Sequence, residues 1–483
     1  MERKQILFRD KMSVKRVLIN SIWFGVIPKL STVINVLMLP FITPYLSPED
    51  YGVWGLISSY VGIALSVASL GLFVHLTNFY YEYKSHYNLA WSRLLYLILV
   101  ASAVVAAVTF ILLFFSFDNF SVGERTLLCM LAVVPILFDA NGLLAKHIFP
   151  LRNKPKPLVL RNLVASLAGI CSSFISIYFF RIGFYGFVIG LAVASLMNFI
   201  LFIDPIWIKE KIVPKRDHSM HRIKEWISIS LPAIPHALGF LFLTSSSRIV
   251  MNFYGVSIND IGIYTNGYTI GDYVNVGAAA VVTAFLPQLQ LAYRQNRFND
   301  FRKLYFFSQG ISIFAIVFAV IWMPDLYRLL IRNPQFHEGI RVAQYACFAN
   351  AVFPLYVFLS SVCFIEKNTK QLLWLVFVPG ILNVMLCIIC IPIWGYRAAL
   401  FTTIFSYWTQ VLIPFFVKFY NHTVKLWMPQ KYQLLLLLLT LSALLVLSNM
   451  LSQINTTYKF IVSIALLGLL CNFLKNFAKY KVL

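Results

Sequence analysis

Four ionisable residues, Lys29, Asp139, Arg248 and Asp272, stand inside otherwise uncharged apolar stretches. At the centre of a bilayer such a group costs about 2.5–3.5 kcal/mol on insertion scales, so each needs a partner or a task. A lysine or arginine there can hold an anion, and an aspartate can take a proton or Na⁺ and so couple movement to an ion gradient. Asp139 and Asp272 are the ion-coupling candidates. The competing reading is structural, with Lys29 locked to Asp139 and Arg248 to Asp272. Lys29 is expected about twelve residues into its span, near the midplane, whereas Arg248 lies nearer the outer end of its own, where snorkelling is easy.

Two further patterns lie close by. Tyr264, Tyr268, Asp272 and Asn275 recur at i, i+4, i+8 and i+11 and share one helical face. Aromatic faces and amides suit sugar rings, and the same set can knit helices together. Pro232 and Pro235 should kink or loosen their helix and free carbonyls beside His236, a combination that suits a gate and is also ordinary in membrane helices.

The elements that must position these groups are transmembrane helices. The chain is 60% hydrophobic and 12% charged, with a mean hydropathy of +0.77, against about 45–50% apolar and about 25% charged in soluble domains. Residues 94 to 115 carry no charge, and a run of about 18 such residues reads as a span. In hydrocarbon the backbone must pair within its own segment, so the fold class is all-α, polytopic, with about fourteen spans. The N-terminus is basic and leads straight into a long first span, with no pattern of a cleaved signal. With that end cytoplasmic, about 31 of the 40 Lys and Arg fall on inner segments, including Arg152, Lys154, Lys156, Arg161, Lys209, Lys211, Lys215 and Arg216. Both termini are therefore expected in the cytoplasm. The net charge of +22 reads as a topology bias, with nucleic acid not expected as a partner.

Internal repeats organise the spans. PEDYGVWGLISSY from Pro48 echoes INDIGIYTNGYTI from Ile258, aligning Asp50 with Asp260, Gly52 with Gly262 and Trp54 with Tyr264 at an offset of 210. RIGFYG echoes IWGYRA on Gly183 and Gly395 at 212. Constant spacing of several weak matches marks a duplication. Six spans per unit, an even number, make the repeats parallel about an axis along the membrane normal. The expected units are a basic arm (1–16), a six-helix bundle (17–210), a basic linker (211–226), a second bundle (227–420) and a terminal helix pair (430–476). A cavity between the bundles and rocking-type alternating access follow from that layout.

The segment LSPEDYGVWGLI and the seventh span, SLPAIPHALGFLFLTSSSRIVMNFYG running into INDIGIY, resemble the Wzx-type polysaccharide and O-antigen flippases. These belong to the MATE-like multidrug/oligosaccharidyl-lipid/polysaccharide exporter superfamily. The resemblance implies a flippase of the bacterial inner membrane that turns undecaprenyl-diphosphate-linked oligosaccharide from the cytoplasmic to the periplasmic leaflet. It also implies membrane lipids and polysaccharide polymerase machinery as partners. Lys29 and Arg248 are then the natural donors to the diphosphate. Relatives often carry an acidic residue just before this arginine, and here it is Ser247. The alternatives are a drug or cation antiporter of the same superfamily and a membrane glycan polymerase or ligase.

No catalytic residues and no cofactor are expected. The outer loops are short and lack a carboxylate pair, and no nucleotide-binding glycine loop is present, so the chain does not read as an enzyme. Cys387 and Cys390 form a C-x-x-C without further ligands nearby and read as core thiols, not a metal site. One outer loop departs from the charge bias with Arg328, Arg332, His337, Glu338 and Arg341, either a contact for an anionic glycan or a solvated turn.

Overall fold

The computed structural model describes residues 27–83, 86–152, 154–216, 219–231, 234–366, 368–428 and 432–478. The basic arm, the first ten residues of the expected opening span and Pro232 lie outside them. Every element among the described residues is helical.

In the N-terminal half a turn at Ile27–Lys29 leads into α1 (Leu30–Ile42). Then come α2 (Pro48–Ala68), α3 (Phe73–Glu82), α4 (Tyr87–Ser116), α5 (Val122–Phe138), α6 (Ala140–Leu151), α7 (Pro155–Tyr178) and α8 (Tyr185–Ile203). The C-terminal half opens with α9 (Met220–Ser230), α10 (Ile234–Thr244), α11 (Ser246–Phe253), α12 (Ile258–Ala284) and α13 (Leu286–Arg294). It continues through α14 (Phe298–Leu330), α15 (Gly339–Ala349), α16 (Phe353–Ile365), α17 (Leu372–Trp394), α18 (Tyr396–Trp408), α19 (Ile413–Phe416) and α20 (Lys418–Trp427). The terminal pair is α21 (Tyr432–Ser452) and α22 (Thr456–Ala478).

Among the described residues, eleven helical stretches are long and apolar enough to cross a membrane, or twelve if α9 and α10, which bend by 47° at their junction, form one span. The count falls short of fourteen for two physical reasons. α12 carries too many polar residues, and the expected span at 394–418 is broken into α18, a 3-10 turn at Thr409–Val411 and α19. The expected basic linker is partly helical: α9 starts inside it and docks on the N-terminal half. There the Trp226 carbonyl lies 2.9 Å from His75 Nε2, and the Ser230 hydroxyl donates to the Leu70 carbonyl at 2.9 Å.

Local sequence explains where helices begin. Ser47 caps α2: its hydroxyl accepts from the Asp50 amide, the Ser47 amide donates to the Asp50 carboxylate, and Pro48 sits at the first helical position. The other oxygen of Asp50 accepts the Phe184 amide at 2.8 Å, tying this start to the turn before α8. That turn is made by Gly183 at φ +58°, and its repeat partner Gly395 makes the turn before α18 at φ +61°. Both dihedrals lie in the region that only glycine enters without strain.

The halves meet where the repeated words lie. Gly52 in α2 and Gly262 in α12 sit at the helix crossing. A Cβ on Gly52 would fall 2.1 Å from the Ile258 carbonyl oxygen, and one on Gly262 would fall 1.7 Å from that of Pro48. Residues 48 and 258 are themselves repeat partners, so the contact is reciprocal, as a local two-fold relation requires. Gly55 faces its own repeat partner Thr265. Around this end both halves share continuous cores: Val53, Leu56 and Ile57 cluster with Ile261 and Tyr264, and Leu46 and Tyr51 with Tyr327 and Phe336. Near the start of α4, by contrast, the buried cluster around Trp91 draws only on residues up to Trp226.

Candidate functional site

Between the halves lies a cavity of about 280 Å³. α1, α2 and α7 supply Asn35, Tyr51, Trp54, Ser166 and Ser173, α8 supplies Phe187 and Ala194, and α12 supplies Asn266, Thr269, Ile270 and Tyr273. Hydrogen bonds close it toward the glycine crossing. Asn35 Nδ2 donates to the Tyr273 hydroxyl at 3.1 Å, Asn266 bonds the Tyr51 hydroxyl, and Asn266 Oδ1 accepts from the Tyr327 hydroxyl at 2.5 Å. Beyond them Thr43 bonds the Leu330 carbonyl at 3.4 Å, and the Asn333 amide donates to the Leu46 carbonyl at 2.8 Å. One end of the interface is thus both knitted and close-packed.

Two charges, Asp272 and Lys29, stand just beyond the residues that line this cavity. Asp272 lies fourteen residues into α12, about 21 Å from its start at 1.5 Å per residue. It is half-buried, and the charges of Arg248 and then Lys29 act on it. Lys29 is exposed in the turn before α1, with no carboxylate within 4 Å among the described residues. The alternative pairing of Lys29 with Asp139 is not formed, and the cation acting on Asp139 is Lys146. Lys29 and Asp272 therefore bring opposite charges from the two halves toward each other without contact.

Arg248 has a different setting from the one its place in the span suggested. It does not snorkel outward but is 7% exposed, packed inside the C-terminal half. Its Nε donates to Thr265 Oγ1 at 3.1 Å and its Nη1 to the Thr244 carbonyl at 3.3 Å. The guanidinium lies 5.3 Å from the ring centre of Tyr268 and 5.9 Å from that of Tyr264. Both tyrosines are buried against it, and Asn275 donates to the Ala346 carbonyl at 3.0 Å. The face carrying Tyr264, Tyr268 and Asn275 therefore points into its own half. The cavity takes another face of α12, Asn266, Thr269 and Tyr273, at i, i+3 and i+7. That second polar stripe is also present in the sequence, less aromatic than the first.

Replacing Arg248 with alanine should cost about 2–4 kcal/mol through the lost cation–π contacts and the stranded threonine groups. The expected readout is a lower thermal midpoint in detergent, only partly restored by lysine, which cannot reproduce the planar donor fork. An unchanged midpoint would show that the arginine is not part of the packing.

Asp139 marks the break between α5 and α6 and lines a side pocket of about 140 Å³ with Ser195 and Asn198. Ser166 and Ala194 line both this pocket and the main cavity, so the two adjoin. Asn198 donates to Asn162 at 3.0 Å, while its carbonyl oxygen is buried with no partner among the described residues. His236 in α10 is half-buried, its Nε2 has no hydrogen-bond partner among the described residues, and its ring lies 6.0 Å from Phe240, one turn beyond Pro235. Cys387 packs against the hydroxyls of Ser247 at 3.4 Å and Thr402 at 3.2 Å. No group of three His, Cys, Asp or Glu able to hold a metal occurs among the described residues.

A family model described as "Polysaccharide biosynthesis protein" matches residues 17–290, more than half of the chain. The chain belongs to that family. Among solved structures, an inward-facing multidrug resistance MATE transporter of the MOP superfamily is similar with a TM-score of 0.65 at 13% identity, covering 86% of this chain and 98% of that one. The lipid II flippase MurJ in an inward closed conformation is similar with a TM-score of 0.61 at 16% identity, covering 92% and 100%. An outward-facing MATE transporter gives 0.53 at 13% identity, over 86% and 96%. No curated protein matches the chain. Family and fold together make this a multi-pass membrane protein of a polysaccharide-biosynthesis family, with the MATE-like fold that the resemblance implied.

Proposed function

We propose that the protein carries undecaprenyl-diphosphate-linked oligosaccharide from the cytoplasmic to the periplasmic leaflet of a bacterial inner membrane, for assembly of a surface polysaccharide. The observation that carries this reading is the polar cavity between the halves, with Lys29, which has no carboxylate within 4 Å among the described residues, in the turn that leads into its α1 wall. A cation without a salt-bridge partner among the described residues suits a diphosphate in transit. Asn35, Asn266, Tyr273 and Trp54 offer amides, a phenol and a ring face to sugars. Arg248 acts one layer back by positioning Tyr264, Tyr268 and Asp272.

In this reading both termini are cytoplasmic, so the glycine crossing seals the periplasmic side and the cavity loads from the cytoplasm. The units are the two bundles at 17–210 and 227–420 with the pair at 430–476, and transport proceeds by rocking about the crossing. Pro235 and His236, at the start of α10, form the gate together with Pro232. Asp139, beside Asn198, and Asp272 are the sites through which a proton or Na⁺ gradient drives the cycle. Product leaves toward the polysaccharide polymerase machinery.

Deleting the gene should trap lipid-linked oligosaccharide on the cytoplasmic leaflet and remove the surface glycan. A normal surface glycan accompanied by raised drug sensitivity would replace this reading with that of a drug antiporter.

A further inference from the structure

A second and larger cavity, about 790 Å³, shares no residue with the first. It lies between the C-terminal half and the terminal helix pair, at the same end as the glycine crossing. Four cations line it, Arg328, Arg341, Arg397 and Lys459, against the acids Asp325 and Glu338. Lys459, only 4% exposed, is satisfied by Asp325 at 2.6 Å, and Glu338 accepts the Tyr396 hydroxyl at 3.0 Å. The three arginines come from α14, α15 and α18, are exposed, and have no carboxylate within 4 Å among the described residues.

Three such arginines on the side of the protein poorest in cations run against the distribution that orients the chain. Converging on one concavity, they present planar donor forks that match phosphate oxygens. The rim is apolar: Phe401 lines the cavity at 59% exposure, with Tyr458 and Phe460 exposed on α22 beside it. A cationic floor under an aromatic rim, at the level where helices leave the apolar layer, fits an amphiphile with a phosphate head.

We propose that this cavity binds the phosphate headgroup of an anionic lipid and so fastens the terminal helix pair to the C-terminal half. The site is separate from the transport cavity and does not depend on the cargo. The phosphate could also be presented by a soluble ester, and the test separates the two sources.

The purified full-length protein in detergent is offered phosphatidylglycerol, diacylglycerol or glycerol phosphate, and retention is read by native mass spectrometry. Phosphatidylglycerol should be retained and diacylglycerol should not. Retention should fall about 100-fold in the triple variant Arg328→Gln, Arg341→Gln, Arg397→Gln, since each surface cation contributes several-fold to anionic-lipid affinity. Arg397→Gln alone provides a milder variant should the triple one fail to fold, with an expected loss of about 5-fold. Retention unchanged in both variants would overturn the site. Glycerol phosphate binding as strongly as the lipid would overturn the lipid source while leaving a phosphate site.

Discussion

Gly262→Ala is expected to force the two halves apart at the glycine crossing and to abolish transport while leaving the protein in the membrane. The added Cβ would lie 1.7 Å from the Pro48 carbonyl oxygen, 2.6 Å from its carbon and 2.9 Å from the Gly52 amide nitrogen. All three are backbone atoms, so no side-chain rotation relieves the overlap. Overpacking of this kind costs about 3 kcal/mol, which shifts a two-state equilibrium about 100-fold away from the sealed arrangement. The trapped state is open on this side because the Asn35–Tyr273 and Tyr51–Asn266 bonds depend on the same close approach. Gly52→Ala should act in the same direction, because its Cβ meets the Ile258 carbonyl oxygen at 2.1 Å. Spin labels at Asp118 and Arg332, one on each half, should report a longer distance in either variant. An unchanged distance with normal transport would show that the crossing plays no part in the cycle.

Lys29→Gln is expected to lower export about 100-fold with normal amounts of folded protein, the loss of one charge-assisted phosphate contact at low dielectric. A lysine serving as a lock should touch its acid, and its removal would strand that acid at a cost to stability. Lys29 has no carboxylate within 4 Å among the described residues, and Asp272 already feels Arg248 more strongly. Arginine at this position should restore part of the export. Reduced folded protein in Lys29→Gln, corrected by also replacing Asp272 with asparagine, would instead establish a structural pair.

The sequence made the crossing legible because its signals are local and repeated. The Ser-Pro-Glu-Asp cap sets the start of α2, and the match of Gly52 to Gly262 names the two residues that later prove to sit against each other's helix. The twin turns at Gly183 and Gly395 follow in the same way, since positive φ leaves its mark in residue type. What periodicity cannot give is the partner of a face. α12 is polar on two sides, and only packing assigns Tyr264 and Tyr268 to Arg248 while leaving Asn266, Thr269 and Tyr273 to the cavity. The relation of Lys29 to Asp272 spans the two halves and leaves no one-dimensional pattern. The same limit hid the phosphate cavity: the loop at 328–341 read as either a glycan contact or a solvated turn until α18 and α22 supplied Arg397 and Lys459.

Transport itself is tested most directly with purified protein in vesicles holding a labelled polyprenyl-diphosphate-linked oligosaccharide. Leaflet exchange should be rapid with the unaltered protein and near the protein-free rate with Lys29→Gln or Gly262→Ala. Exchange no faster than in protein-free vesicles, from protein shown to be folded and inserted, would contradict the flippase reading.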